Sequence, residues 1–211
     1  MCVICVSGKG VRQPNRQEIT NMFTNNYHGA GYMFVRGGHI EIHKGYDNLA
    51  DFLDDIEFER FTENDVVVYH FRIATQARRY PMTQPFPLSR KVKQLQAYDC
   101  NARFGVAHNG IISLTSNGDP ALSDTALYIR DYLAPRIQNE EDIPDLLSTI
   151  ESETPGSKIA ILASSGRYYL TGKWIYENGL LFSNDTYEEY DYTKYFKSYK
   201  KGSVIINDYD F

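Results

Sequence analysis

The sequence predicts an α+β fold in which two antiparallel sheets are stacked and helices lie on their outer sides. Strand-like and helical segments alternate early in the chain, and the later strands follow one another as hairpins. Hairpins favour antiparallel sheets over a doubly wound parallel sheet, whose strands need helical crossovers. Aromatic residues make up 14% of the 211 residues, and such large side chains suit the wide interfaces of stacked sheets.

The first elements are marked by alternation, a capping pair and a turn signal. Residues 2–7 alternate in the manner of a strand. Asn15 and Glu18 match a capping box, which predicts the start of a helix. Gly37-Gly38 separates two strand-like segments and predicts a hairpin over residues 32–43.

A second helix, a buried strand and a long loop are predicted next. Apolar residues recur at helical spacing between Leu49 and Ile56, which indicates an amphipathic helix. Residues 65–74 are almost continuously apolar and predict a central buried strand. Residues 75–103 are rich in Pro, Gln and Arg, so we expect a long irregular loop, and loops of that length are often functional.

The second half ends in hairpins. Residues 104–114 are strand-like and are interrupted by Asn109-Gly110. Ser123 is an N-cap residue for a helix that runs to about Leu133, and a shorter helix is expected over residues 143–151. The last strands form hairpins over 158–171, turning at Ser165-Gly166, and 173–183, turning at Asn178-Gly179.

Composition limits the classes of function. The net charge of −5 argues against nonspecific nucleic-acid binding, which depends on phosphate neutralisation. No apolar run approaches the roughly 20 residues needed to span a bilayer. The first residues lack the basic leader of a signal peptide. We therefore expect a cytoplasmic protein with no nucleic-acid or membrane partner.

The three cysteines, Cys2, Cys5 and Cys100, do not suggest a disulfide framework. Cys2 and Cys5 have the spacing of a redox motif, but in a strand they face opposite sides of the sheet. Cys2 directly follows Met1, so removal of Met1 would leave a thiol and a free α-amino group on one residue. The amine could then serve as the base for its own nucleophile. The alternative for Cys2 alone is a small buried apolar residue.

Three further segments have both a structural and a functional interpretation. Arg72 in a buried strand needs an anionic partner, which is either an internal carboxylate or a substrate carboxylate held by the guanidinium fork. Asn109-Gly110 is a hairpin turn, or an oxyanion hole built from a side-chain amide and a backbone N–H. Asp124 follows the helix cap Ser123 and is either part of the helix start or the partner of a substrate ammonium.

A metal site is the alternative for one strand. His39, Glu41 and His43 share a strand face, and two imidazoles with a carboxylate can bind zinc. Ile40 and Ile42 define the buried face, so polar-out alternation explains the three without a metal. We therefore predict no metal.

Taken in order, these segments resemble one family. The quoted pieces are Met-Cys at the start, Gly29-Ala30-Gly31-Tyr32, His70 to Thr75, Gln84-Pro85-Phe86, Ala107 to Gly110, Ser123 to Thr125, Glu177-Asn178-Gly179 and Ser183-Asn184. Together they resemble the class II glutamine amidotransferase domain, a member of the N-terminal nucleophile hydrolases. The resemblance runs from residue 2 to about residue 185.

The resemblance implies a four-layer αββα sandwich and a set of roles. Cys2 would be the nucleophile, with its own amine as base, and Asn109 with Gly110 would form the oxyanion hole. The substrate glutamine would be held through its α-carboxylate by Arg72 and through its α-amino group by Asp124. The other residues expected to line the pocket are Gly31, Thr75 and His108. No cofactor is implied.

Two departures from the family pattern affect these expectations. Many members have a His in the loop before the Asn-Gly strand, whereas residues 84–88 here read Gln-Pro-Phe-Pro-Leu. Larger members carry an acceptor domain after this one. We expect residues 1–185 to be the amidotransferase-like domain and residues 186–211 to be a Tyr-rich extension packed on it, ending in a strand over 203–206.

The predicted function is that of a glutamine amidotransferase subunit. It would hydrolyse the glutamine side-chain amide through a Cys2 thioester and release glutamate and ammonia. A separate synthetase or ligase subunit would accept the ammonia. Two alternatives stay open: an N-terminal nucleophile amidase with another amide substrate, and a catalytically silent binding or regulatory protein on the same fold.

Overall fold

The computed structural model of the chain describes residues 2–74, 80–113 and 119–189. These residues form one sheet of seven strands and a second of four. Every pair of neighbouring strands is antiparallel. The expectation of two antiparallel sheets is therefore confirmed.

The seven-stranded sheet contains the N-terminal strand near its middle. Its strands, in spatial order, are β10 (Ile175–Glu177), β11 (Leu180–Phe182), β1 (Val3–Ser7), β4 (Val67–Phe71), β2 (Ala30–Arg36), β3 (His39–Tyr46) and β6 (Asp99–Ala102). β4 is buried throughout and lies at the centre of the sheet, as predicted for residues 65–74. Arg72 lies one residue beyond its end and forms an isolated bridge with Tyr27.

Two helices cover the outer face of this sheet. α1 (Arg16–Asn25) begins with the predicted capping box, in which Asn15 and Glu18 bond to each other's backbone N–H. α2 (Leu49–Glu59) has Asn48 as its N-cap. Apolar residues on both helices, among them Met22 and Phe52, are fully buried against the sheet.

The four-stranded sheet is made by the middle and later parts of the chain. Its strands, in order, are β5 (Phe86–Pro87), β7 (Phe104–Asn109), β8 (Lys158–Ala163) and β9 (Tyr168–Thr171). β7 and β8 pair along their whole length, from Phe104 with Ala163 to Asn109 with Lys158. The chain leaves the sheet after Asn109, so Asn109-Gly110 is not the turn of a two-residue hairpin.

The prediction of one irregular loop over residues 75–103 is wrong from residue 80 onward. Residues 80–103 contain a 3₁₀ turn (Tyr80–Met82), β5, the short helix α3 (Val92–Leu95) and β6. Lys44 holds this region to the sheet, because its buried Nζ donates to the carbonyls of Pro81 at 3.1 Å and Leu95 at 2.7 Å. These elements are too short to show a hydrophobic period, so they could not be predicted from the sequence pattern. Residues 75–79 lie outside the described part.

The remaining helices cover the outer face of the four-stranded sheet. α4 (Asp124–Tyr128) starts at the predicted cap, where Ser123 Oγ accepts from Ala126 N at 3.2 Å. A π-helical turn (Ile129–Leu133) and α5 (Ala134–Arg136) continue it, and α6 (Asp142–Glu153) follows. Their apolar side chains pack on the outer face of β7 and β8.

A third apolar cluster lies between the two sheets. Ile4, Val6 and Val68 of the larger sheet meet Ala107 and Leu162 of the smaller one. With the two outer clusters this makes four layers, helix, sheet, sheet and helix, as predicted. None of the helices in the described residues combines the length and apolar character required to cross a bilayer.

The segment after β11 returns across α1. Tyr187 is buried, and its ring stacks on Phe182 with 3.8 Å between centroids. Asn25 Nδ2 on α1 donates to the carbonyls of Thr186 at 2.9 Å and Glu188 at 3.0 Å. Residues 190–211, including the strand expected over 203–206, lie outside the described residues, so the packing of the 186–211 extension stays a prediction.

Candidate active site

Cys2 lies at the start of β1, where the two neighbouring strands of the sheet end. Its Sγ donates to the carbonyl oxygen of Ile73 at 3.6 Å. Burial raises the pKa of the Cys2 thiol above its ordinary value, and the positive charge of Arg72 partly opposes this. A thiol in this setting needs a local base to become a nucleophile, since it is not spontaneously ionised.

Asn109 and Gly110, at the end of β7 in the other sheet, line the same cavity as Cys2. Asn109 is the last residue of β7 and is 2% exposed. Gly110 has φ +154°, and a β-carbon there would lie 2.9 Å from Ser157 Cα. A glycine is therefore required at this position by both backbone conformation and space.

A cavity of about 330 Å³ lies between these residues. Its lining contains Cys2, Arg72, Ile73, Ala74, Met82, Gln84, His108, Asn109, Gly110, Ile111, Ser123, Asp124, Thr125, Pro155 and Gly156. Six of the eight predicted site residues therefore line the cavity. This volume is at the lower end of the range found for small-molecule sites, which is about 300–1,000 Å³.

Arg72 and Asp124 bring opposite charges to the cavity. Burial lowers the pKa of Arg72, while Cys2 and Asp124 oppose the shift, so both lie within electrostatic reach of the guanidinium. Asp124 Oδ2 accepts from Ile112 N at 2.9 Å, and its Oδ1 accepts from Thr125 N at 2.8 Å. The carboxylate therefore holds the backbone at Ile112 in place. Each of its oxygens has a further lone pair that can accept a hydrogen bond from a ligand.

His108 is engaged within the protein at both ring nitrogens. Its Nδ1 lies 2.8 Å from Thr125 Oγ1 and its Nε2 lies 3.0 Å from Ser157 Oγ. Burial lowers the pKa of His108 to about 4, so the ring is neutral near pH 7. His108 thus joins β7 to α4 and to the segment beside Gly110, which suits a positioning residue better than a direct substrate contact.

Gln84 supports the same strand from the opposite side. Its Oε1 accepts from His108 N at 2.7 Å, and its Nε2 is 3.5 Å from Thr125 Oγ1. His70, in β4, lies 3.2 Å from the His108 carbonyl through its Nε2. Burial lowers the pKa of His70 to about 3, so its Nε2–H donates this bond as a neutral ring.

Two of the residues predicted to line the pocket are not among its lining residues in the described part of the chain. Gly31 pairs with His70 in the sheet and is absent from the cavity lining. A β-carbon at Gly31 would lie 2.6 Å from Lys44 Cβ and 2.8 Å from the His43 carbonyl, so this glycine permits close packing beneath the Gln84 segment. Thr75 lies outside the described residues.

Ser183 and Asn184 contact the site, although sequence reasoning gave them no role. Ser183 Oγ accepts from Ile4 N at 2.9 Å and from Asn109 Nδ2 at 2.9 Å, so it joins the two sheets. Asn184 Nδ2 donates to the carbonyl oxygen of Cys2 at 2.7 Å. The one sequence signal for Ser183 and Asn184 was that they are polar residues directly after an apolar strand. Their hydrogen-bond partners lie about 70–180 positions away in sequence, so this signal did not indicate a role.

The alternative metal residues lie elsewhere, on β3. His43 Nδ1 lies 2.9 Å from Asp99 Oδ1, and the His43 ring stacks on Tyr32. His39 Nε2 is 3.4 Å from Glu41 Oε1. Within the described residues, no group of three or more His, Cys, Asp or Glu side chains is arranged to hold a metal ion.

Comparison with known proteins gives a match at the level of the fold. No family model matches the sequence. No curated protein matches it either. Among solved structures, the chain is similar to glutamine phosphoribosylpyrophosphate amidotransferase from B. subtilis complexed with ADP and GMP, with a TM-score of 0.51 and 16% identity, over 78% of this chain and 35% of that one.

A second solved structure, described as the allosteric regulatory enzyme of purine biosynthesis, matches with a TM-score of 0.47 and 16% identity, over 78% of this chain and 36% of that one. The chain thus spans little more than a third of the length of these matches. The first likeness agrees with the predicted arrangement of two stacked antiparallel sheets between layers of helices, and it is a likeness of fold.

Proposed function

We propose that the protein hydrolyses the side-chain amide of glutamine through a thioester on Cys2. One observation carries the proposal. A single cavity gathers the thiol of Cys2, the amide of Asn109, the backbone of Gly110 and the opposite charges of Arg72 and Asp124. These are a nucleophile, candidate oxyanion donors and partners for both ends of an α-amino acid.

The proposed chemistry is acyl transfer in two steps. After removal of Met1, the Cys2 α-amine takes the thiol proton, since an α-amine has a pKa of about 7.7–8.0. The sulfur attacks the side-chain carbonyl carbon, and the resulting oxyanion is stabilised by Asn109 Nδ2 and Gly110 N–H. The amine returns its proton to the leaving nitrogen, and ammonia departs from a γ-glutamyl thioester. Water then cleaves the thioester to give glutamate and the free thiol.

The two charged residues of the cavity would select the substrate. Arg72 presents a planar fork that suits the α-carboxylate. Asp124 lines the same cavity and suits the α-ammonium. A simple amide lacks both groups, so this pair favours glutamine over other amides and argues against an amidase of different specificity.

We further propose that a separate synthetase or ligase subunit uses the ammonia. Ammonia released into water is largely protonated and loses its nucleophilicity, so direct transfer favours a productive reaction. The B. subtilis protein, of which this chain spans 35%, is named as an amidotransferase. The likeness supports an amidotransferase-like domain here, with its acceptor site on another domain or subunit.

The test measures glutamate and ammonia released from glutamine by the purified full chain. We expect equal amounts of both products, loss of activity in Cys2→Ser, and retained activity in Cys100→Ser, since Cys100 is also a half-buried cysteine but lies on β6 outside the cavity. The N-terminal mass should correspond to a chain that begins at Cys2. Retention of Met1 in active protein, or equal activity of Cys2→Ser and wild type, would refute the proposal.

A further inference from the structure

Asn109 has one unsatisfied amide atom, and its neighbour Ser183 has one unused proton. Asn109 Oδ1 is buried without a hydrogen-bond partner among the described residues. Ser183 Oγ accepts from Ile4 N and from Asn109 Nδ2, both at 2.9 Å. Within that same part of the chain, no hydrogen bond is donated by the Ser183 hydroxyl. A buried acceptor without a donor is unfavourable, because it has lost its hydrogen bond to water.

If the carboxamide turns by 180°, Asn109 Oδ1 and the Ser183 proton satisfy each other, and Nδ2 becomes the amide atom without a partner among the described residues. The two orientations of an asparagine amide have nearly the same shape, so hydrogen bonding decides between them. In the turned orientation Ser183 O–H donates to Asn109 Oδ1, while Ser183 Oγ still accepts from Ile4 N. Asn109 Nδ2, with both of its protons, then takes the buried position that the unpaired oxygen held, and these protons are the ones left for a ligand of the cavity that Asn109 lines.

We infer that Ser183 is a positioning residue that fixes the Asn109 amide with its N–H donors available to the substrate. This inference rests on the proposed function, because it assigns to Ser183 the orientation of the oxyanion donor. Ile4 N contributes by occupying an acceptor site on Ser183 Oγ, which directs the hydroxyl proton toward Asn109. The strand that carries the nucleophile thereby sets the orientation of the group that stabilises the oxyanion.

Ser183 joins the two halves of the site because of where it lies in the fold. It directly follows β11, which pairs with β1, and its backbone N–H donates to the Ile4 carbonyl at 3.0 Å. Asn109 ends β7 in the other sheet. The Ser183 side chain therefore bridges the two sheets two residues from Cys2, and it is itself 2% exposed. Water cannot easily replace a hydroxyl at such a position.

Kinetics of three variants separate positioning from stability. Ser183→Ala removes the proton donor and should lower kcat by about 10–100-fold with little change in KM, because the Asn109 amide is then free to turn its oxygen toward the substrate. Ser183→Thr keeps the hydroxyl and should restore most of kcat. Ser7→Ala is the matched control: Ser7 is also buried on the same sheet and donates to Arg12 O at 2.9 Å. It should lose stability and keep kcat.

Alkylation of Cys2 by iodoacetamide checks that the nucleophile is unaffected. This reaction needs the thiolate but no oxyanion donor, so Ser183→Ala should be alkylated at close to the wild-type rate. A parallel fall in alkylation and in kcat would assign the defect to Cys2 and overturn the inference. Unchanged kcat in Ser183→Ala would also overturn it.

NMR tests the amide orientation without any activity. In protein labelled with ¹⁵N-asparagine, the Asn109 side-chain signals are assigned by their loss in Asn109→Asp. The inference predicts weak NOEs between the Nδ2 protons and the β-protons of Ser183, since Oδ1 then faces the hydroxyl. Strong NOEs would show Nδ2 facing Ser183 and would overturn the inference. If wild type releases no glutamate, the proposed function fails while the spectra still decide the orientation.

Discussion

The side chain of Asn184 holds the backbone of Cys2: Nδ2 donates to the Cys2 carbonyl oxygen at 2.7 Å. Its own orientation is fixed, because Oδ1 accepts from Thr186 N at 3.1 Å and from Thr186 Oγ1 at 2.8 Å. Thr186 Oγ1 in turn accepts from Asn26 Nδ2 at 3.0 Å. The position of the proposed nucleophile is thus linked, through a chain of side-chain hydrogen bonds, to Asn26, the residue that caps the C-terminal end of α1.

Asn184→Ala should lower kcat by about tenfold or more, because loss of the anchor allows Cys2 to leave the attacking geometry. Its matched control is Asn25→Ala. Asn25 bonds to the same returning segment, at the carbonyls of Thr186 and Glu188, but not to Cys2. Steady-state assays and thermal unfolding of both variants check this prediction. Equal kcat in the two would mean that Asn184 contributes only stability.

Gly110→Ala should abolish most of the activity. Its φ of +154° is poorly accessible to alanine, and the new β-carbon would press against Ser157, which also bonds to His108. Gly38→Ala is the control, since Gly38 has φ +79° with open space around it. The Gly38→Ala variant should therefore show the loss of stability that is caused by a positive φ alone, without a steric clash. Kinetic constants and unfolding free energies should be compared for both variants. Full activity in Gly110→Ala would exclude a role for this backbone in catalysis.

Asp124→Asn should weaken the binding of glutamine more than that of an analogue without the α-amino group. The reason is that the asparagine side chain keeps an acceptor for Ile112 N but loses the charge. Ser123→Ala is the control, because it removes the α4 cap and leaves the carboxylate. KM and inhibition constants check this prediction. Equal weakening for both ligands would mean that Asp124 only shapes the backbone.

Arg72→Lys should raise the KM for glutamine even though the positive charge is retained. A lysine ammonium is a point charge and cannot form the two parallel hydrogen bonds of the guanidinium fork. The control ligand is an analogue that lacks the α-carboxylate, whose binding should change little. An unchanged KM for glutamine would place the α-carboxylate elsewhere.

His70 and His108 should make the fold acid-sensitive. Burial depresses their pKa values to about 3 and about 4, against about 6.5 in an unfolded chain. Between the folded and the unfolded pKa values, the unfolded state therefore binds more protons than the folded state. The free energy of unfolding is thus highest above about pH 6.5 and falls as the pH is lowered toward 4. His108→Gln should remove part of this loss, on the order of 2 kcal/mol between pH 7 and 4.5.

Urea unfolding of wild type and His108→Gln across that range is the measurement. Above pH 7 the two stability curves should run parallel, offset by the lost hydrogen bonds alone. Parallel curves from pH 7 down to 4.5 would show that His108 does not carry a depressed pKa in the folded protein.

The sequence predicted those elements that have local signals. The capping box at Asn15, the turn at Gly37-Gly38 and the cap at Ser123 are determined by residues within four positions of each other, and all three are present. β5 and β6 were missed because strands of two and four residues show no alternation. Their positions depend on partners far along the chain, such as Val106 for Phe86.

The candidate site residues were proposed from their residue types and from the family resemblance, whereas the residues that support them were given no role. Cys2, Arg72, Asn109 and Asp124 stand out by chemistry and lie around one cavity. Gln84, Ser183 and Asn184 are ordinary polar residues whose importance comes from hydrogen bonds to distant backbone and side-chain atoms. Only the packing of one sheet on the other brings those partners together, and this packing cannot be predicted from the spacing of residues in the sequence.

The most direct test of the proposed nucleophile is peptide mapping after inactivation with a diazo-ketone analogue of glutamine. We expect one adduct per chain, located on Cys2 of a peptide that lacks Met1, and protection by excess glutamine. Cys5 is buried and Cys100 lies outside the cavity, so neither should be labelled. An adduct on Cys5 or Cys100, or unhindered labelling of Cys2 in the presence of glutamine, would refute Cys2 as the nucleophile that attacks glutamine.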